Sequence, residues 1–217
     1  VQDEGNIGRA FVQNDTPKTV DIVFVTADTG LCGGFNMVTI KAVSKLIAQY
    51  EAEGTKVRLR AAGRKGVDFF SFQGMTLEQK VSDLSSAPDY DRAADFINDV
   101  VEDFKNEVTD KVVLVYNGFL NMLAQEIRVR ELLPISLEKV EMSDTASMLN
   151  IEPEDDEDEV LNELTEKYID CNMYYALIDS LAAEHSARMQ AMEAATKNAK
   201  EKVNSLTVEY NKARQAA

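Results

Sequence analysis

From Glu154 to Ala217 the chain contains neither glycine nor proline, and apolar or small residues recur at strictly alternating steps of three and four. The stripe runs Leu161, Leu164, Tyr168, Cys171, Tyr175, Ile178, Ala182, His185, Met189, Met192, Thr196, Ala199, Val203, Leu206, Tyr210, Ala213 and Ala217. An α-helix repeats every 3.6 residues, so a stripe fixed at 3.5 keeps one face only where the helix supercoils left-handedly around a partner. The register persists for about eight heptads, too long for a helix lying on the surface of an ordinary domain. Unbroken, such a helix reaches roughly 85–95 Å. No other segment of the 217 residues is long enough to pair with it. The partner strand is therefore expected from another chain or from a segment outside this sequence. Val1, set in a polar stretch, points to the same expectation of a native N-terminal portion not included here.

The chain before residue 150 is organised differently. Thr19 to Ala27 is a β-branched run suited to a buried strand, closed by turn chemistry at Asp28-Thr29-Gly30. Asn36 to Glu53 shows helical spacing through Met37, Ile40, Val43, Ile47 and Tyr50, and Gly54 stops it. Val57 to Ala62 predicts a second strand, followed by Gly63-Arg64-Lys65-Gly66 and a short helix carrying Phe69, Phe70 and Phe72. Pro88 introduces a helix from about Tyr90 to Lys105 with Ala94, Ile97, Val101 and Phe104 inward. Lys111 to Phe119 is the most hydrophobic strand, and Glu126 to Ile135 predicts another. Strands alternating with helices of this length point to a sheet with parallel pairs and helices on its faces. The expected organisation is a polar segment (1–18), an α/β body (19–150), an acidic hinge (151–158) and the long helix (159–217).

Charge and composition exclude several roles. With 38 acidic against 23 basic residues the net charge is −15, which opposes binding to nucleic acid or to an anionic bilayer surface. No apolar run reaches the length of a membrane span, and no signal peptide is visible. Cys32 and Cys171 lie far apart and predict free thiols in a reducing compartment.

Each motif that suggests chemistry has a plainer reading. Gly30-Leu31-Cys32-Gly33-Gly34 stands at a strand-to-helix junction where amides could receive a phosphate, but it lacks G-x-G-x-x-G spacing. Gly63-Arg64-Lys65-Gly66 lacks the phosphate-loop pattern as well. Tight-turn geometry is the expectation for both. Cys32 with His185, the single histidine, could form a nucleophile–base pair, yet His185 falls on the heptad stripe, where a polar residue sets register. The acidic run Glu152 to Glu159 lacks the glycine and spacing of a calcium loop and reads as solvated charge. Met189 and Met192 belong to the stripe rather than to an adaptable binding face. No catalytic constellation, cofactor site or metal site emerges, and none is expected.

The residues do match a family. The stretch Thr26-Ala-Asp-Thr-Gly-Leu-Cys-Gly-Gly-Phe-Asn36 resembles the strand–turn–helix signature of the γ subunit of F-type ATP synthases. Ala183 to Ala199 (AEHSARMQAMEAATKNA) and Tyr210 to Ala216 (YNKARQA) resemble that subunit's long C-terminal helix. Gly63, Lys65, Gly66, Phe69 and Phe70, then Tyr116-Asn117, Leu132-Leu133-Pro134 and Glu152-Pro153, fall in the family's order. Thr29 departs from the pattern where many members carry arginine, and so does Ile151 where some carry tyrosine.

The resemblance implies a non-catalytic rotor shaft, an antiparallel coiled coil of N- and C-terminal helices with a Rossmann-like α/β domain at its foot. On this reading the unseen partner strand is the N-terminal helix, and the family's last turns lie beyond Ala217. The resemblance also implies partners: α and β subunits around the shaft, an ε subunit, and the membrane c ring. Arg214 and Gln215 correspond to positions that meet a loop of one β subunit, and Ile151 and Glu152 to the foot near ε and the c ring. The coiled-coil seam is expected to hold Ile178, Ala182, His185, Met189, Met192, Val203, Leu206 and Tyr210. The implied location is the cytoplasmic side of a bacterial inner membrane, peripheral, within the complex. The alternative is a homodimeric coiled-coil scaffold with an α/β head. Restoring the N-terminal helix makes a rotor chain monomeric and leaves a scaffold dimeric.

Overall fold

In the computed structural model, residues 6–135 and 157–216 are described. The strands are β1 (Thr19–Val25), β2 (Lys56–Ala62), β3 (Leu77–Val81), β4 (Lys111–Asn121) and β5 (Ala124–Leu133). The helices are α1 (Asn6–Phe11), α2 (Phe35–Ala52), α3 (Arg64–Phe72), α4 (Tyr90–Lys105) and α5 (Glu157–Ala216). Ile151, Glu152 and most of the expected hinge lie outside the described residues, and α5 is already helical at Glu157.

The strands form one sheet in the order β3-β2-β1-β4-β5. β1 pairs in parallel with both β2 and β4, and β5 returns antiparallel beside β4 through a tight hairpin. β1 is buried on both faces, as its largely apolar run favours, and its one charged residue, Asp21, is buried against Arg58 and Arg60. Side chains alternate across a strand, so Val20, Ile22 and Phe24 meet Ile40, Val43 and Ile47 of α2 and Phe70 of α3. Val23 and Val25 point the other way, into a core shared with Phe96, Ile97 and Val100 of α4 and Ile169, Met173 and Leu177 of α5. The first half of α5 is thus a structural layer of the body as well as the root of the shaft.

Several expectations change in detail. α1 occupies part of the segment read as polar, and Arg9 donates to the Phe104 carbonyl (2.6 Å) and pairs with Asp110 (2.9 Å). β3 escapes the sequence reading because only Leu77 of its five residues is buried. In α4 the inward set begins at Ala93 rather than Ala94, and Asp89 caps the helix by accepting from the Arg92 amide. In α2, Met37 faces solvent while Phe35 and Thr39 turn inward. Phe72 is 92% exposed, so it adds nothing to the core. The second glycine motif opens α3: Gly63 is its N-cap, and Arg64, Lys65 and Gly66 are its first residues.

Candidate functional site

Helix α5 runs 60 residues without interruption. Its first half carries a buried apolar stripe that the heptad pattern conceals. Ile169, Met173, Ala176, Leu177, Ala183 and Ala187 are buried. At 100° per residue these side chains cluster about 180° from Ile178, Ala182, His185 and Met189. The first stripe seats the helix on the body. The second, from Leu161 through Leu164, Tyr168, Cys171, Tyr175, Ile178, Ala182, His185, Met189, Met192, Val203, Leu206 and Tyr210, is exposed along its whole length. From Met192 to Ala216 every residue on every face is exposed, a projection of roughly 37 Å at 1.5 Å per residue.

Two polar latches flank the seat. On one side the Asp179 carboxylate reaches strand β4. It accepts from the Phe119 amide (3.1 Å) and from Arg128 Nη1 (2.9 Å), and Arg128 also donates to the Phe119 carbonyl (3.3 Å). Asp179 lies so close over Gly118 that a Cβ there would stand 2.6 Å from its Oδ2. On the other side Arg188 Nη2 donates to Thr29 Oγ1 (2.8 Å), the Gly30 carbonyl (3.3 Å) and Glu184 Oε1 (2.7 Å). Between the latches and the bare shaft, Ser186 Oγ (2.9 Å) and Gln190 Nε2 (2.8 Å) both donate to the Met122 carbonyl at the β4–β5 hairpin tip.

The first glycine turn is therefore a shoulder for α5. Leu31 and Gly33 adopt left-handed φ of 60° and 59°, which tightens the turn. Cys32 is buried, Asn36 Nδ2 donates to its sulfur (3.4 Å), and Asn36 Oδ1 accepts from the Ala27 amide (2.8 Å). Burial pushes the Cys32 thiol up and the Glu184 charge adds to this against Arg188, so the sulfur stays protonated. His185 is exposed on the opposite face of α5, which separates it from Cys32 and leaves no dyad.

The second glycine motif is filled by the chain itself. The Asp28 carboxylate accepts from the Arg64 amide (3.0 Å) at the start of α3, from the Asp83 amide (3.1 Å) and from Ser85 Oγ (3.0 Å). Burial alone would raise this carboxyl, but the donors outweigh it and hold it below 3.8. The helix N-terminus that might have received a phosphate already holds an anion. Gly63 is required for this packing, since a Cβ there would sit 2.0 Å from the Thr26 carbonyl oxygen.

Arg214 and Gln215 stand exposed in the last turn of α5, without a hydrogen-bond partner among the described residues. Ile151 and Glu152, with the acidic run, lie outside the described residues. Among the described residues no group of His, Cys, Asp or Glu is placed to hold a metal ion. No described helix is long and apolar enough to cross a membrane. Sequence reasoning missed Asp179, Arg128 and Arg188. The one available signal was the spacing of Glu184 and Arg188, which is that of a helical ion pair.

A Rossmann-like body clamped to a helix that projects far beyond it, with an uncovered apolar stripe, defines a shaft-type subunit. The sequence matches the family described as ATP synthase over residues 2–217. A protein named ATP synthase gamma chain from Aliarcobacter butzleri is 86% identical over 217 residues, covering all of this chain and 74% of that protein. The gamma chain of Wolinella succinogenes is 60% identical, covering 92% of this chain and 67% of its own length. The chain belongs to the γ-subunit family of ATP synthases.

Among solved structures, the central stalk and c-ring of Tetrahymena thermophila mitochondrial ATP synthase superposes with a TM-score of 0.67 at 26% identity. That match covers 89% of this chain and 83% of the other. The rotor of the Euglena gracilis mitochondrial enzyme gives a TM-score of 0.67 over 99% of this chain and 83% of the other. At 19% identity, that second likeness speaks to the fold alone.

Proposed function

We propose that this chain is the central-stalk rotor subunit of an F-type ATP synthase, coupling ion-driven rotation of the membrane ring to conformational cycling of catalytic β subunits. The observation that carries the reading is the two-sided α5: one stripe fastened to the body, the opposite stripe uncovered along the whole helix. A second helix on that seam would make a stiff, supercoiled shaft, because each seam side chain locks into a hole of its neighbour. An asymmetric shaft turned inside a ring of alternating α and β subunits favours each β conformation in turn. Contacts that favoured all β conformations equally would transmit nothing.

In this proposal Arg214 and Gln215, on the exposed last turn, hydrogen-bond a loop of one β subunit. Ile151 and Glu152 meet the ε subunit and the c ring at the foot. The chemistry belongs to the β subunits, and the chain works on the cytoplasmic side of a bacterial inner membrane as a peripheral part of the complex. The test is ATP-driven ion pumping in inverted membrane vesicles with and without the gene product. Pumping is expected to vanish without it and to return on re-supply. Pumping that persists in its absence would sink the rotor assignment.

A further inference from the structure

We infer that Asp179 and Arg188 form a two-sided clamp that fixes the rotational phase of the shaft against the body, so that torque passes between them without slip. The inference rests on the rotor reading. In the described residues the body (6–135) meets α5 (Glu157–Ala216) at this seat, so torque that enters the body reaches the shaft there. Along the seat the buried side chains change from Ile169, Met173 and Leu177, with Ala176 among them, to the smaller Ala183 and Ala187 nearer the shaft. Apolar burial opposes a large rotation, which would expose Ile169, Met173 and Leu177, but it is non-directional and leaves small rotations at the alanine end weakly fixed.

The polar latches supply direction. Asp179 and Arg188 are nine positions apart, which places them about 180° apart around α5 and roughly 13.5 Å apart along it. The buried stripe lies between them in azimuth. Asp179 grips β4 and, through Arg128, β5 on one flank. Arg188 grips the turn after β1 on the other flank, and Glu184 holds its guanidinium in place. Turning α5 either way must stretch one of the two, so the pair resists both senses of rotation. Both are charge-assisted and partly shielded, with Asp179 10% and Glu184 6% exposed.

The whole complex in inverted vesicles tests this through the ratio of ATP-driven ion pumping to ATP hydrolysis. In the double variant Asp179→Ala/Arg188→Ala that ratio is expected to fall about tenfold with hydrolysis retained, the scale of losing charge-assisted hydrogen bonds. Gly118→Ala reads the same latch from strand β4, because its new Cβ displaces the Asp179 and Arg128 side chains without substituting any residue of α5. It is expected to lower the ratio, whereas Arg188→Lys, which keeps the charge but loses the fork to Thr29 and Gly30, falls in between. A merely structural role would lower the melting temperature and assembly while leaving the ratio unchanged in assembled complexes, and that result would overturn the clamp. If the unaltered chain itself supports no coupled pumping, the rotor reading fails instead.

Discussion

The two long faces of α5 differ less in composition than in what touches them. Leu177 is fully buried against the body, while its neighbour Ile178 is 43% exposed on the seam. Both are aliphatic, and both continue a regular stripe. The helix also divides along its length, because no residue beyond Ala191 is even half-buried. One element therefore carries two faces: the inner one packs on the α/β core, and the outer one stays uncovered, as the proposed coiled-coil shaft requires. An apolar stripe tells that burial is required somewhere, and only its azimuth relative to the sheet tells where.

The sharpest way to break this comparison is to place the same charge on each face. Leu177→Asp should cost about 3–5 kcal/mol of body stability, since it buries an unpaired carboxylate in place of core packing. Ile178→Asp should stay within about 0.5 kcal/mol in this chain, as exposed substitutions do. Denaturant unfolding of the two variants checks this. Equal losses would show that the seam is already covered in solution.

Amide exchange compares the two halves of the helix. Backbone amides of Ile169 to Ala187 should open only with the body, whereas those beyond Met192 should exchange through local fraying with opening energies near zero. Strong protection past Met192 in a dilute monomeric sample would contradict the contrast.

Acid should loosen the body without touching the seam. Asp28 has a folded carboxyl value held below its ordinary 3.8, so its stabilisation is full above that value and is lost as pH falls through the folded one. Asp28→Asn should remove about 1 kcal/mol near neutral pH and flatten this acid limb. Melting temperatures recorded from pH 7 down to pH 2 would expose an unchanged limb if the cap contributes nothing.

The smallest effect on stability belongs to the tip. Arg214→Ala should leave the unfolding free energy within about 0.5 kcal/mol, because the residue is exposed. In the assembled enzyme it should lower ATP turnover while assembly survives. Undiminished turnover would leave Arg214 as a merely solvated residue.

Much of this architecture was legible in the chain itself. β1, β2, α4 and the length of α5 follow from a mostly β-branched run, a short strand stopped at Gly63, helical spacing after Pro88 and the absence of helix breakers. β3 was hidden because Leu-Glu-Gln-Lys-Val lies on a sheet edge, where polar side chains are tolerated. The seat of α5 was hidden for another reason. Two stripes on opposite faces cancel as an amphipathic signal, and the regular heptad drew the eye to the uncovered one. The latches could not be read at all, since Asp179–Phe119 and Arg188–Thr29 join residues 60 and 159 positions apart. Such partners are chosen by the tertiary fold, and no local pattern announces them.

The bare end of α5 also has a charge of its own. Between Met192 and Ala216 five cations (Lys197, Lys200, Lys202, Lys212 and Arg214) outnumber the carboxylates of Glu193, Glu201 and Glu209, on a chain whose net charge is −15. The molecule is therefore strongly polarised from end to end. In the field of a negatively lined socket it would be turned tip-first before any contact forms, and the encounter would slow as salt shortens the reach of that field. The projecting helix would select its direction of entry during diffusion, before its seam has anything to recognise.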